Sequence, residues 1–293
     1  MDCLLCGSDQ KIIFAHVKSF GFPLVYYQCE NCGLIYQSRK ESQAANPEFY
    51  RRTYRQIYQV CEEPTPKDLW VQEQRAYHLI DILRQHVKNF PERVLDIGAS
   101  AGVLLQQFRT AFGSDVVGVE PGDAYRAYSE ESGIEMKESL GALLASDHGK
   151  FDLVSMSHVL EHLTDPVDDL KRIRLELLKD GGSLLLEVPN FYAHDSYELA
   201  HLACYTPHTL REVLKKAGFR LILLKRHGVP RSKLLNLYLT GIAKALPEAY
   251  RTAEIKKDRF VKFKRNVGML YRRLMQKISP HKAWLQIPVI DQK

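Results

Sequence analysis

The middle of the chain alternates short apolar runs with segments in which apolar residues recur every three to four positions. The first pattern is typical of buried strands and the second of amphipathic helices. We predict strands at 93–97, 115–120, 134–137, 151–156, 182–188 and 219–226, and helices at 123–133, 166–178 and 206–217, with another helix beginning at Val103. Near-continuous apolar strands alternating with helices indicate a mostly parallel sheet covered on both faces. We therefore predict an α/β fold with a doubly wound, Rossmann-like sheet.

Four of the six cysteines form two C-x-x-C pairs near the amino terminus, each followed by a glycine. Two such turns can supply a tetrahedral shell of four thiolates, and glycine allows each turn to close tightly. A four-cysteine shell leaves no open position, so the predicted zinc is structural. Apolar runs at 11–15 and 23–28 predict a hairpin between the pairs, as in a zinc-ribbon-like module. Unrelated buried or redox-active cysteines are the alternative. The predicted metal ligands are Cys3, Cys6, Cys29 and Cys32.

The carboxyl-terminal part of the chain is strongly basic. The chain has 41 Lys and Arg against 35 Asp and Glu, and residues 251–293 hold 12 of the former and 3 of the latter. Apolar residues spaced by three and four over 253–278 predict an amphipathic helix with a basic polar face. Three interpretations stay open. The apolar stripe packs on the rest of the protein, the 251–282 segment binds an anionic membrane surface, or its charges bind a phosphate-bearing partner.

Length and composition suggest a soluble protein of about two domains, at roughly 150 residues per domain. We divide the chain into a zinc-binding module at 1–45, a helical connector at 46–90, an α/β domain at 91–230 and a basic, largely helical extension at 231–293. The longest mostly apolar stretch, 234–246, is shorter than the ~20 residues of a transmembrane helix. The start at Met1 lacks the features of a signal peptide. We therefore expect a cytoplasmic protein, with peripheral membrane association as a further possibility.

The turn after the first strand of the α/β region predicts the class of cofactor. In a doubly wound sheet, ligands bind at the carboxyl ends of the strands, and an acid that ends the second strand can hold a ribose. Glu120 ends that strand 24 residues after Asp96, close to the ~20 residues expected for this role. A dinucleotide fingerprint would need glycine where Ser100 and Val103 stand. Asp96 would repel a pyrophosphate but suits a cationic ligand, which favours a sulfonium amino acid over a dinucleotide.

Residues from about 91 to 226 resemble a class I S-adenosylmethionine-dependent methyltransferase. The matching stretches are VLDIGASAG at 94–102, VGVEP at 117–121, FDLVSMSHVLEHL at 151–163, DGG at 180–182, HLACYTP at 201–207 and AGF at 217–219. The resemblance implies that the turn after the first strand lines the methionine end of the cofactor and Glu120 its ribose. It also implies that residues around 138–140 line the adenine. Ser100 stands where the family usually has a second glycine. The implied cofactor-binding residues are Asp96, Gly98, Ala99, Gly102, Glu120, Pro121, Ser139, Ser157 and His158.

The cysteine module narrows the resemblance. A double C-x-x-C module ending in CGLIY at 32–36, placed before such a domain, is similar to sugar C-methyltransferases that act on nucleotide-linked keto-deoxysugars. Those enzymes have an active-site histidine after the fifth strand, and His201 matches it within HLACYT. Ala200 stands where their glutamate belongs, and the large further domain of those enzymes has no counterpart in the 67 residues after Arg226. The resemblance implies His201 as the catalytic residue, in-line methyl transfer, and a sugar, glycan or other small-molecule acceptor.

Two other classes of function stay open. A nucleic-acid methyltransferase, acting on RNA, would use the zinc module and the basic tail. Against base-amine chemistry, residues 157–160 read SHVL where such enzymes place Asp/Asn-Pro-Pro-aromatic. A non-catalytic binding protein that keeps the cofactor fold is the other alternative. A broken cofactor turn would distinguish it, and here Asp96, Gly98, Gly102 and Glu120 are all present. The sequence leaves the methyl acceptor open.

Overall fold

The computed structural model describes residues 2–37, 57, 61–87, 89–247 and 254–287. The strands are β1 (Lys11–Ser19), β2 (Phe22–Cys29), β3 (Ile35–Gln37), β4 (Arg93–Ile97), β5 (Asp115–Val119), β6 (Glu135–Lys137), β7 (Phe151–Ser157), β8 (Leu178–Pro189), β9 (Ala203–Cys204), β10 (Phe219–His227) and β11 (Tyr238–Ala245). The α-helices are α1 (Pro66–His86), α2 (Val103–Phe112), α3 (Asp123–Glu131), α4 (Leu140–Leu144), α5 (Pro166–Arg172), α6 (Pro207–Lys216), α7 (Val261–Ile278) and α8 (Pro280–Ala283). Short helical turns also occur at Leu160–His162 and Ile173–Leu177.

The central sheet has the order β10-β11-β8-β7-β4-β5-β6. The five strands from β4 to β8 run parallel to one another, while β11 pairs antiparallel with both β8 and β10. The chain proceeds from β4 outward to β6 and then returns to β7 on the other side of β4. This reversal opens a crevice at the carboxyl end of β4, where doubly wound sheets bind their ligands. The predicted Rossmann-like fold is confirmed.

One strand of the central sheet is missing from the sequence prediction. β11 lies between β8 and β10, so Tyr238–Ala245 belongs to the sheet rather than to a helical extension. All but one of its residues are buried, because the strand is covered on both faces. A short apolar run does not reveal by periodicity whether it forms a strand or a buried helix. Among the described residues, the helical part of the extension begins with α7.

The amino-terminal module shares its sheet with the α/β region. β1 and β2 form the predicted hairpin, β3 pairs with β2, and β9 completes the sheet by pairing with β3. β9 lies between β8 and α6, so the module is bound directly to the segment that follows β8. One continuous apolar core extends from the module into the central sheet.

Helix α7 packs on the protein with the side opposite its apolar stripe, through Val261, Arg265 and Gly268. Arg265 is buried and donates hydrogen bonds to the carbonyl oxygens of Phe191 and His194, and Gly268 lies against the Tyr192 carbonyl. The apolar stripe faces solvent, which contradicts the interpretation that it packs on the body. Its exposed members are Phe260, Phe263, Val267, Leu270, Leu274 and Ile278. Within the described ranges, no helix combines the length and apolar character needed to span a membrane.

Candidate active site

A cavity of about 750 Å³ opens at the carboxyl end of β4. It contains nearly all of the residues that the sequence singles out for the cofactor and for catalysis. The predicted residues that line it are Asp96, Gly98, Ala99, Glu120, Pro121, Ser139, Ser157, His158 and His201. Gly102 is not among its lining residues. A Cβ at Gly102 would lie 2.7 Å from Ile134 and 3.0 Å from Ser129, so this glycine allows the close packing behind the turn.

The turn after β4 is held against β5 by backbone hydrogen bonds. The amides of Gly98 and Ala99 donate to the carbonyl of Val119 at 2.8 and 3.0 Å. Gly98 has a φ of 75°, in the left-handed region that glycine adopts without steric cost. Ser100 has a φ of 51°. Ser100 thus adopts the left-handed backbone that favours glycine.

The Glu120 carboxylate is fixed by two backbone amides in the cavity wall. Its two oxygens accept hydrogen bonds from the amides of Ser100 and Gly122, each at 2.9 Å. The side chain is buried. These contacts join the end of β5 to the turn after β4, so the acid and the turn present one surface to a ligand.

Asp96 is a buried carboxyl at the base of the cavity. Ser155 donates a hydrogen bond to its Oδ1 at 2.7 Å. Burial raises the pKa of Asp96 to about 7, the Ser155 hydrogen bond partly opposes this rise, and the nearby charge of Glu120 adds to it. A cationic ligand beside Asp96 would stabilise its ionised form and lower this pKa.

A second charged cluster lies where β7 and β8 end. Glu187 is fully buried and lies 2.7 Å from Nε of Arg75, which α1 contributes. His158 lies between two carboxylates, with Nδ1 3.2 Å from Glu161 and Nε2 3.3 Å from Glu187. Burial and Arg75 oppose a positive charge on His158, but the contacts with both carboxylates outweigh them and raise its pKa. The cluster orients His158 toward the cavity.

His201 lies beside this cluster, close to Glu161, and is held in a neutral form. Its Nδ1 is 3.1 Å from the carbonyl oxygen of Ser196. Because a carbonyl only accepts, Nδ1 carries the proton and Nε2 is the basic nitrogen. Burial lowers the pKa of His201, with only partial compensation from Glu161. Nε2 is 3.6 Å from the carboxylate of Glu198, whose own pKa burial raises to about 7.

Three side chains beside this cavity could hold a cation. Glu161, His162 and His201 each offer one ligand atom, and the three atoms lie within 4.8 Å of one another. Nδ1 of His162 is 2.8 Å from the carbonyl of Ala200, which likewise places the ring proton on Nδ1. Such second contacts are typical of metal-bound histidines, and they equally orient a general base.

The module contacts the segment that carries His201. Nε2 of Gln37 donates to the carbonyl oxygens of His201 at 2.7 Å and of Glu198 at 2.8 Å. The hydroxyl of Tyr26 donates to the Glu198 carbonyl at 2.9 Å. The position of His201 therefore depends on β2 and β3 as well as on the central sheet.

The four predicted metal ligands lie together. Sγ of Cys3 is 3.4 Å from Sγ of Cys32, and Sγ of Cys6 is 3.5 Å from Sγ of Cys29. All four sulfur atoms lie within 4.8 Å of one another and none forms a disulfide. A tetrahedral zinc with Zn–S bonds of ~2.3 Å spaces its sulfur atoms by roughly 3.8 Å. The donor set and spacing fit a structural zinc ion.

Sequence reasoning missed several residues of the site. Glu187, Arg75 and Glu198 line or support the cavity, but none belongs to a recognisable motif. Glu187 and Arg75 are 112 residues apart and meet only because α1 packs on the sheet. Glu161 lies within the HVLEH stretch, and its proximity to His158 and His162 along the chain is the signal that could have found it.

Comparison with known proteins identifies the domain. The family described as "Methyltransferase domain" matches residues 71–224, which is more than half of the chain. The chain belongs to this family. It carries a methyltransferase domain of the S-adenosylmethionine-dependent class.

The curated relatives match only the central part of the chain. It is 35% identical over 96 residues to a ubiquinone biosynthesis O-methyltransferase of Roseobacter denitrificans, covering 31% of this chain and 38% of that protein. It is 29% identical over 118 residues to the protein of that name from Azotobacter vinelandii, covering 38% and 50%. The chain thus spans half or less of the length of these relatives. The solved structure of an S-adenosylmethionine-dependent methyltransferase from Archaeoglobus fulgidus aligns with a TM-score of 0.48 and 20% identity, covering 61% of this chain and 100% of that one.

Proposed function

We propose that the protein transfers a methyl group from S-adenosylmethionine to a hydroxyl of a small-molecule acceptor, with a sugar or glycan as the first acceptor class. The observation that carries this proposal is His201, a buried neutral histidine with its basic Nε2 in the same cavity as the Asp96–Glu120 surface. The names of the curated relatives, which are O-methyltransferases, support transfer to oxygen.

The residues of the cavity fit the cofactor. The ionised form of Asp96 suits the cationic methionine end, and Glu120 suits the ribose hydroxyls because its carboxylate is held in place by two amides. Pro121 and Ser139 follow on the side assigned to ribose and adenine, while Ser157 and His158 form the floor. The cofactor supplies a methyl group on a sulfonium, so most of the rate arises from positioning the acceptor against it.

His201 supplies the base in this proposal. Transfer to a hydroxyl releases a proton, and Nε2 can accept it because Nδ1 already donates to Ser196. Glu198, 3.6 Å away, would stabilise the resulting imidazolium. A base in hydrogen-bond reach contributes about 10²–10⁴-fold to such a step.

We also propose that the four-cysteine cluster holds a structural zinc ion. The support is the all-sulfur donor set, the burial of Cys3, Cys29 and Cys32, and the short distances between sulfur atoms. In this role the ion stabilises the module, whose Gln37 and Tyr26 fix the His201 segment. The ion would have no part in the chemistry.

Methyl-labelled cofactor tests the proposal. The protein is incubated with pools of sugars and glycans, of phenolic compounds and of RNA, and the labelled product is identified by mass spectrometry. We expect label in a hydroxyl-bearing small molecule. Label in RNA would instead support the alternative of a nucleic-acid methyltransferase, which the exposed cations of 256–282 favour.

The His201→Asn variant tests the base. We expect turnover to fall by about 10²–10⁴-fold with unchanged cofactor affinity, while His16→Asn, exposed on β1, serves as the matched control. A chelator distinguishes a base from a metal ligand. Activity that a chelator abolishes while elemental analysis shows the metal of the four-cysteine cluster retained, and that a divalent cation restores, would assign His201 to a metal site with Glu161 and His162 and would refute its role as the base.

A further inference from the structure

We infer that α7 is an interfacial helix that binds the protein to the surface of an anionic lipid bilayer. The inference concerns a part of the chain that lies outside the matched methyltransferase domain. It does not depend on which acceptor is methylated.

The helix is amphipathic, but it presents its apolar side to solvent. Phe263, Leu270 and Ile278 are 69%, 66% and 64% exposed. They lie in one stripe with Val267 and Leu274, at spacings of three and four residues. An exposed apolar stripe of this size marks an interaction surface.

Contacts on the opposite side of α7 fix this orientation. Arg265 donates to the carbonyls of Phe191 and His194, and Arg272 donates to that of Ala193 at 3.2 Å. If α7 rotated to bury its stripe, these guanidinium groups would leave the carbonyl oxygens. The oxygens would then face apolar side chains that cannot donate hydrogen bonds. The helix therefore does not simply rotate to bury its apolar face.

The charges around the stripe identify the partner. Between Lys256 and Ile287 the exposed charged side chains are all cations, and the one carboxylate of the segment, Asp258, is buried against Lys264. The exposed cations are Lys256, Lys257, Arg259, Lys262, Lys264, Arg273, Lys277 and Lys282.

An anionic bilayer satisfies both features of this surface. Its headgroups neutralise the cations, and its acyl boundary receives the stripe. A second copy of the chain could cover the stripe, but it would bring two sets of cations together with no exposed carboxylate of the segment to pair with them. A nucleic acid could neutralise the cations but would leave the stripe in water.

The position of the helix relates this surface to the cavity. α7 packs on the loop of residues 190–194, and His194 of that loop lines the cavity. A bilayer bound along the stripe would therefore lie across α7 from the loop that borders the site, separated from that loop by the width of the helix.

Co-sedimentation of the full chain with vesicles tests the inference. One set of vesicles is phosphatidylcholine alone, and the other contains one part of phosphatidylglycerol to three parts of phosphatidylcholine, both at low salt, where electrostatic attraction is strongest. We expect binding to the anionic vesicles only. Absence of sedimentation with them would overturn the inference.

Paired substitutions separate the two components of binding without adding negative charge. Replacing two cations, Lys262→Gln with Arg273→Gln, should weaken partitioning by roughly 25-fold, since each cation near an anionic surface contributes about a five-fold factor. Replacing two stripe residues, Phe263→Gln with Leu270→Gln, should weaken it at least about tenfold. Leu175→Gln with Ile222→Gln is the matched control, because both are exposed apolar residues on other elements.

Each variant is first checked for an unchanged melting temperature and cofactor affinity. Vesicle binding that the stripe variant retains in full would refute an interfacial helix. The inference would also be refuted if the wild type does not bind vesicles but forms a dimer in sedimentation velocity, and the stripe variant does not form that dimer. Binding of RNA without vesicle binding, undiminished in the stripe variant, would assign the cations to a nucleic acid and would also overturn the inference.

Discussion

Asp96 should make both the stability of the protein and its affinity for the cofactor depend on pH near neutrality. The carboxyl is almost fully buried, with the Ser155 hydroxyl as its hydrogen-bond donor at 2.7 Å. Burial raises its pKa from about 3.8 to about 7. In Asp96→Asn the amide oxygen can still accept from Ser155, so the substitution removes the charge with little change of shape.

The magnitude follows from the pKa difference between folded and unfolded states. A carboxyl whose pKa is higher in the folded state destabilises the fold wherever it is ionised in both states. Above pH 7 this penalty is about 4 kcal/mol, and it declines by about 1.4 kcal/mol per pH unit until it vanishes near pH 4. The Asn variant should therefore be more stable than the wild type at pH 8 by up to about 4 kcal/mol, and equal to it near pH 4.

Cofactor binding should change in the opposite direction. If the cationic end of S-adenosylmethionine binds ionised Asp96, wild-type affinity should rise about tenfold between pH 6 and pH 8, as the ionised fraction of a carboxyl with a pKa near 7 rises about tenfold. The variant should bind more weakly at pH 8 and lose this dependence. Calorimetry measures the affinities, and denaturant unfolding from pH 4 to pH 8 measures the stabilities. The reasoning would be refuted if the variant is less stable than the wild type at pH 8. It would also be refuted if the ratio of wild-type to variant affinity does not change with pH.

Three further predictions concern the module and the buried charges. Cys29→Ser should release a thiophilic metal ion that elemental analysis finds, at about one per chain, in the wild type. Gln37→Leu should lower the free energy of unfolding by about 1–3 kcal/mol, because the His201 carbonyl loses its donor while the Glu198 carbonyl keeps the Tyr26 hydroxyl. It should reduce turnover more than cofactor affinity, and an unchanged unfolding midpoint would contradict the contact between Gln37 and His201. Glu187→Gln should lower the free energy of unfolding by about 3–5 kcal/mol, because Arg75 loses its buried partner. It should also lower the pKa of His158, which NMR titration measures.

The sequence alone determined the features that depend on local spacing. The turn at 96–102 and Glu120 could be recognised because strands of a doubly wound sheet end at the same edge, so an acid after the second strand must lie near the turn after the first. The cysteine pairs could be recognised because a C-x-x-C turn brings two thiols together whatever surrounds it. The fold class could be predicted because the alternation of strands and helices is a pattern of local spacing. β11 was missed because its short apolar run has no distinctive period.

Tertiary structure decided which distant residues meet and which way a surface faces. Glu187 and Arg75 form their ion pair only through the packing of α1 on the sheet, and Gln37 reaches the His201 segment only because β3 pairs with β9. The spacing of Phe263, Leu270 and Ile278 predicted an amphipathic helix but not its orientation. The spacing of apolar residues predicts which of them share one face of a helix. Whether that face is buried depends on which groups of the rest of the chain pack against the helix. Here the loop of residues 190–194 offers carbonyl oxygens, which bind arginines and leave the apolar stripe outside.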